Sequence, residues 1–354
     1  MPKLSVIVPF HNVQEFAQDT LRSLARNARS DREFILVDDC STDATPQIVD
    51  RAAQSLPGAR VIRHETNQGI ARARNSGIDA ARGDYLTFLD GDDWYAPGYL
   101  DDLVAAMDRY GTDFVRTDHV QANGRERVVR RAPARRRDTI LAARDGIGRA
   151  NLETMVDYPF VWAGIYHRRL FQDGAGRFAA ELRTAEDRLW TWTLHLTAET
   201  FAVTGLLGVF YRRGVKTSLT QISDDRQLDF IPAHDAMLDA VRADPDADRF
   251  LPKAVRTYCA LIAFHRGNSE RLEPGLARRL ERASAEALRR MPQDVLEETL
   301  RGMDEQRGRM LRQLRASGRG KPGRPGNRPG NGQGSGPGDG PGTKDNTGQP
   351  ERVA

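Results

Sequence analysis

The chain has 354 residues, 39% hydrophobic and 29% charged, enough for one large or two smaller soluble domains with an ample core. Its net charge of +4 is unevenly placed: residues 318–354 hold six basic and three acidic side chains, which leaves the body near neutral and excludes a general nucleic-acid binder. The sequence has no bilayer-spanning apolar run and no secretory signal, and Cys40 and Cys259 form neither a metal-type spacing nor a disulfide framework, so the expected location is the cytoplasm.

In chain order, Leu4–Pro9 reads as a first buried strand closed by a proline, and Val13–Arg29 carries a helical apolar stripe. Phe34–Val37 is a second buried strand ending in Asp38 and Asp39, after which Ser41, Thr42 and Asp43 are candidate caps for a helix to about Leu56. Arg60–Arg63 is a short third strand, and Gly69–Ala81 a helix stopped by Gly83. Tyr85–Leu89 is a central strand that runs into Asp90-Gly91-Asp92-Asp93. Strands and helices alternating at this spacing predict parallel βαβ units, with both aspartate pairs on the carboxyl edge, where ligands of open α/β sheets bind.

The later pattern is looser. Gly98–Tyr110 reads as a helix, Phe114–Val120 as a strand, Phe160–Tyr166 as a strand, Arg183–Leu196 as a helix and Phe201–Tyr211 as a strand. Between them, Arg125–Arg137 contains seven arginines around Pro133, either a solvated hairpin tip or an attraction for an anionic acceptor or membrane surface. Residues 226–316 are expected to form a helical C-terminal domain or appendage behind a catalytic domain spanning 1–225. Residues 317–354, rich in Gly and Pro, are expected to be disordered, because they cannot bury enough to offset ordering costs of about 1–2 kcal/mol per residue.

Asp90 and Asp92 lie two apart, so in extended backbone they project to the same side, and Gly91 permits a tight turn and a close approach. Their mutual repulsion is relieved by a divalent cation, for which hard oxygen ligands favour Mg²⁺ or Mn²⁺. A solvated turn capping the next helix is the competing reading. Neither a Gly-x-Gly-x-x-Gly fingerprint nor a phosphate loop is present, so a nucleotide here would be held by carboxylates and metal.

These motifs, in this order, resemble the family 2 inverting glycosyltransferases of the GT-A fold over roughly Leu4 to Thr220. Val6-Ile7-Val8-Pro9-Phe10-His11-Asn12 is similar to the family's first strand, and Val37-Asp38-Asp39-Cys40-Ser41-Thr42-Asp43 to its Val-Asp-Asp-Gly-Ser-x-Asp segment, with Cys40 in place of glycine. Asn67-Gln68-Gly69, Ala73-Arg74-Asn75-Ser76-Gly77 and Asp90-Gly91-Asp92 match its next three elements. The resemblance implies a mixed, mainly parallel sheet flanked by helices. It further implies that Asp39 bonds the nucleobase beside Pro9 and Phe10, that Asn67 and Arg74 wall the nucleotide, that Asp90 lies near ribose and metal, and that Asp92 coordinates the metal on the diphosphate.

Thr184-Ala185-Glu186-Asp187 resembles the family's Glu-Asp motif, which implies Asp187 as the base and Glu186 as its neighbour in the acceptor pocket. The same residues also read as a capping box, in which Asp187 would only satisfy backbone donors. Tyr211-Arg212 through Lys216-Thr217-Ser218 resembles the loop that closes over the diphosphate in polymer-modifying members such as wall teichoic acid glycosyltransferases, with Lys216 where those members often carry histidine. Trp162 and Tyr166 are candidates to stack on an acceptor sugar, or else buried strand aromatics.

The expected protein is a metal-dependent transferase that moves a sugar from a UDP-type donor to a hydroxyl of a cell-surface glycan or anionic wall polymer, with peripheral contact at the inner membrane face. A sugar-1-phosphate nucleotidyltransferase would want a Gly-rich basic loop where Pro9-Phe10-His11-Asn12 stands. A non-catalytic scaffold would have no need of Asp39, Asp92 and Asp187 together.

Overall fold

The computed structural model describes residues 1–172, 174, 176–214 and 224–317. The expectation of disorder for the tail, and those for Lys216 and Ser218, lie outside the described residues. Met1–Gly318 pack as one compact unit.

Strands β1 (Leu4–Phe10), β2 (Arg32–Asp38), β3 (Ala59–Arg63) and β4 (Tyr85–Phe88) alternate with helices α1 (Ala17–Arg26), α2 (Thr45–Ala53) and α3 (Ile70–Ala80). β1 pairs in parallel with β2 and with β4, and β2 in parallel with β3. Every residue of β1 and β2 is buried, as expected of central strands covered on both faces. There follow β5 (Trp94–Tyr95), α4 (Tyr99–Tyr110), β6 (Phe114–Thr117), β7 (His119–Asn123), β8 (Glu126–Arg130), β9 (Leu141–Ala142), β10 (Gly164–His167), α5 (Arg169–Gln172), α6 (Glu186–Thr197), β11 (Thr200–Thr204) and β12 (Val209–Arg212). The main sheet has eight strands in the order β3-β2-β1-β4-β10-β6-β11-β9, and a second sheet has four, β5-β12-β7-β8.

Two segments read as single strands are each two, divided between these sheets. Phe114–Val120 breaks at Asp118, whose carboxylate accepts from the Ala132 amide and Arg137. Phe201–Tyr211 breaks at Gly205–Gly208, where a side chain on Gly208 would fall 2.1 Å from the Tyr99 ring. Only its last residues of the Phe160–Tyr166 segment are extended, as β10, antiparallel to β4 and β6. Continuous apolar runs conceal such breaks, because periodicity does not report which sheet a residue joins.

Helices α7 (Phe230–Arg242), α8 (Ala247–Gly267), α9 (Pro274–Arg290), α10 (Gln293–Arg301) and α11 (Glu305–Ser317) form a second apolar core. The two cores meet at α6, where Trp190 belongs to the α/β core and Trp192 to the helical one, each 1% exposed. Polar ties reinforce the junction: Arg144 pairs with Asp244 and Asp246, Arg183 with Asp229, and the Lys253 ammonium donates to the Leu152 carbonyl at 2.7 Å.

Candidate active site

The exits of β1, β2 and β4 lie side by side, and side chains rather than a helix cap fasten them together. Thr45 Oγ1 accepts from the Val13 amide at 3.0 Å, and Asp43 accepts from the amides of Gln14 and Thr45. Residues 41–45 therefore clamp the β1 exit, and α2 starts late, after Ala44, instead of being capped by Ser41 or Thr42. Asn12 and Cys40 both hold positive φ, 51° and 57°, where the chain turns off β1 and β2. Cys40 thus adopts the left-handed conformation that the family's usual glycine takes without penalty.

Asp39 is 3% exposed and organises the first wall. Its Oδ1 accepts from the Gln68 amide at 2.8 Å and contacts His64 Nδ1 at 2.6 Å, while Oδ2 accepts from the Gly69 amide at 2.7 Å. The other ring nitrogen of His64 reaches Ser76 Oγ at 2.9 Å, tying the wall to α3. Asn67 is exposed at the lip, with its amide nitrogen 2.9 Å from His11 Nε2. His11 and His64 carried no motif signal; they appear only once Asp39 has its loop around it.

Gly91 sits where a Cβ would fall 2.7 Å from Phe10 Cδ1 and 2.8 Å from the Pro9 carbonyl oxygen. Phe10 is 1% exposed, so Pro9 and Phe10 form the packed floor under the aspartates. The close approach that requires glycine is thus made by the β1 exit itself.

Arg74, on α3 and 3% exposed, joins the two halves of the site. Its Nη2 donates to Asp90 Oδ1 and its Nη1 to Glu186 Oε1, both at 2.8 Å. Its guanidinium lies 5.3 Å from the Phe178 ring centre, and the neighbouring Asn75 side chain clamps Phe178 by both backbone groups at 2.8 and 3.0 Å. Burial opposes the charge on Arg74, but Asp90, Glu186 and Asp187 outweigh it and raise its pKa.

Glu186 and Asp187 open α6. The helix follows Ala185, at φ 61°, and no side chain caps it; the Thr184 hydroxyl instead donates to the Arg226 carbonyl at 2.8 Å. The capping-box reading therefore fails, because the helix begins after Ala185 and the threonine is committed elsewhere, while the Asp187 carboxylate meets the amide of the next residue, Arg188. Burial raises the Asp187 pKa, and burial together with the Asp187 charge pushes Glu186 to about 7.

Asp92 is pushed to about 6, by burial first and then by Asp90. Asp93 is fully buried; its Oδ1 accepts from the Arg212 amide at 2.7 Å while Oδ2 has no partner among the described residues, and burial drives its pKa well up. Arg212 donates from Nε to the Asp92 carbonyl at 2.8 Å, and its guanidinium lies 4.7 and 4.6 Å from the ring centres of Phe16 and Trp94. Trp162 is 4% exposed, packed on Phe160, Tyr211 and His119, and Tyr166 is fully buried, so neither ring offers a free face to a sugar.

The donor set at the β4 exit suits a small hard cation. Asp90 and Asp92 supply carboxylate oxygens, and the repulsion that lifts Asp92 is what a cation would reverse. Among the described residues no three His, Cys, Asp or Glu side chains converge, so phosphate oxygens and water would complete the shell.

Parallel strands tipped with aspartates beside an antiparallel β10, all flanked by helices, make this a GT-A fold. Residues 5–173 match the model of glycosyl transferase family 2. The uncharacterised glycosyltransferase EpsJ of Bacillus subtilis is 32% identical over 224 residues, 63% of this chain and 64% of EpsJ. The poly(ribitol-phosphate) beta-N-acetylglucosaminyltransferase TarS of Staphylococcus aureus is 30% identical over 231 residues, 64% of this chain and 38% of TarS. This chain thus spans less than two thirds of either relative's length. The crystal structure of TarS 1–349 with UDP-GlcNAc superposes at a TM-score of 0.74, with 23% identity over 89% of this chain and 88% of that one, a likeness of fold.

Proposed function

We propose that this chain is an inverting, metal-dependent glycosyltransferase that transfers a sugar from a UDP donor to a hydroxyl of a cell-surface or wall polymer. The observation that carries this reading is the Asp90–Arg74–Glu186 bridge, which ties the strand exit suited to a nucleotide diphosphate to the helix that begins with Glu186 and Asp187. The donor nucleotide rests on the family and on TarS, whose crystal structures hold UDP and UDP-GlcNAc. The polymer acceptor rests on the activity in the TarS name.

In one displacement, the acceptor oxygen attacks the anomeric carbon, its proton passes to Asp187, and the carbon–oxygen bond to the diphosphate breaks with its electron pair leaving on UDP. A carboxyl raised by burial is a better base near neutrality than an ordinary aspartate. Glu186 orients the acceptor beside it, while Asp39 and Asn67 hold the nucleoside above the floor that Pro9 and Phe10 build. Asp92 and Asp90 would hold Mn²⁺ or Mg²⁺, which supplies Lewis-acid stabilisation of the departing diphosphate. Arg212 adds fixed positive charge on the same side, and the sequence places Lys216 and Ser218 in the segment after it.

UDP release from a panel of UDP-sugars with Mn²⁺ or Mg²⁺ tests the reading. Metal-dependent turnover of one donor is expected, abolished in Asp92→Asn. Failure of every UDP-sugar to bind would overturn it.

A further inference from the structure

The β7–β8 hairpin departs from the rest of the molecule in its electrostatics. Elsewhere some arginines find acidic partners, as Arg60 does in Glu33 and Arg183 in Asp229, and others stand singly; the hairpin is distinct in gathering six unpaired arginines within residues 125–136. Arg125, Arg127, Arg130, Arg131, Arg135 and Arg136 are all exposed and, among the described residues, none makes an ion pair; of the seven arginines only Arg137 does, with Asp118. β8 is an edge strand, and edge strands often carry charge against unwanted pairing. β8 itself carries Arg127 and Arg130 beside Glu126, which would serve that purpose, but Arg125, Arg131, Arg135 and Arg136 flank the strand and add four more cations that repel one another.

The hairpin also adjoins the proposed donor site. β7 runs parallel to β12, with Ala122 opposite Arg212, and the Arg213 amide donates to the Ala122 carbonyl at 2.8 Å. The Arg127 guanidinium lies 5.6 Å from the centre of the Trp94 ring that also receives Arg212. The unpaired charge therefore begins beside Asp92 and Arg212 and runs away along about 17 Å of strand. Arg127 and Arg130 alternate to opposite faces of β8, so the positive field follows the strand edge. A flat lipid surface would require the cations on one face; an edge suits a linear ligand.

We infer that the β8 edge is the docking track for the acceptor, a flexible polyanion of phosphodiester type lying along the strand with one hydroxyl delivered to Asp187. This rests on the proposed function for the delivered hydroxyl, but binding of the polymer can be measured without turnover.

The test compares the full chain with a variant carrying Arg125→Ser, Arg130→Ser, Arg131→Ser and Arg135→Ser, and with the same four positions as Lys. Fluorescently labelled poly(ribitol phosphate) is the binding probe, neutral dextran the control, and phosphatidylglycerol vesicles the competing surface. Affinity for the polymer is expected to fall on the order of tenfold or more in the Ser variant, with a shallower salt dependence, and to persist in the Lys variant. UDP-sugar binding and hydrolysis without acceptor should be unchanged. Unaltered polymer affinity, or a loss confined to vesicle binding, overturns the inference. If wild type binds the polymer through these arginines yet releases no UDP from any donor, the track stands and the enzymatic reading falls.

Discussion

Asp187 and Asp92 make separable demands on one site. Asp187→Asn should leave donor affinity within about twofold and lower transfer by about 10²–10⁴, the usual range for a general base; equal loss of donor binding in calorimetry would remove it from that role. Asp92 has a stability consequence of definite sign. Its folded pKa of about 6 exceeds the ordinary aspartate value, so the folded state binds the extra proton at acid pH, and the stability this provides is lost as pH rises through 6. Asp92→Asn should therefore raise the stability of the metal-free protein at pH 7.5 by about 1–3 kcal/mol while abolishing activity. Mn²⁺ should raise the melting temperature of the wild type only. A variant less stable than wild type would contradict the raised pKa.

Arg74 is a positioning residue rather than a reacting one. Its charge lowers the pKa of both Glu186 and Asp187, against the larger effect of burial. Arg74→Lys cannot span Asp90 and Glu186 together, so the acidic limb of the kcat profile should move to higher pH, with kcat falling more than KM rises. A uniform loss at all pH values would indicate damage to the fold alone.

At the scale of elements, much of the site was legible because it sits at strand ends, where alternation and burial locate the chain well. The aspartates at 38–39 and 90–93, Arg74 and the Glu186-Asp187 pair all lie where the sequence places them. What escaped is what local pattern cannot encode. The partners of Asp39, His64 and the amides of Gln68 and Gly69, are joined to it across 25 to 30 residues of chain. The Thr184–Asp187 pattern satisfies a capping rule on paper, but Arg226 draws the threonine away. Trp162 and Tyr166 look equally fit for stacking or burial in sequence; His119 of β7 and Tyr211 of β12 bury the first, and Phe88 of β4, Phe114 of β6 and Trp190 of α6 the second. Gly77 shows the packing that fixes these elements: a Cβ there would meet Ile7 Cγ2 at 2.3 Å, so α3 lies directly on β1. Gly77→Ala should cost about 1–3 kcal/mol in denaturant unfolding and displace Arg74 with its helix.

For the whole molecule, the boundary drawn at residue 225 divides the helices from the α/β part in sequence, but the apolar surfaces interlock across it. Ile147, Val156 and Trp192 belong to the helical core although they precede the boundary. A fragment ending at residue 225 would expose them, and should aggregate or lose several kcal/mol of stability by the usual penalty for uncovered core side chains. A monomeric fragment with wild-type melting behaviour would show that the helices are an independent appendage.

The bridge through Arg74 also bears on the order of events in a catalytic cycle. Asp90 and Glu186 are held by the two amino groups of one guanidinium, so a ligand that draws Asp90 aside would change the charge balance at Glu186 and at Asp187. On the proposed mechanism, donor loading would prepare the acceptor side. This predicts compulsory-order kinetics, with UDP competitive against the nucleotide-sugar and noncompetitive against the polymer. Competition by UDP against both substrates would mean that the carboxylates at the two ends of Arg74 respond independently.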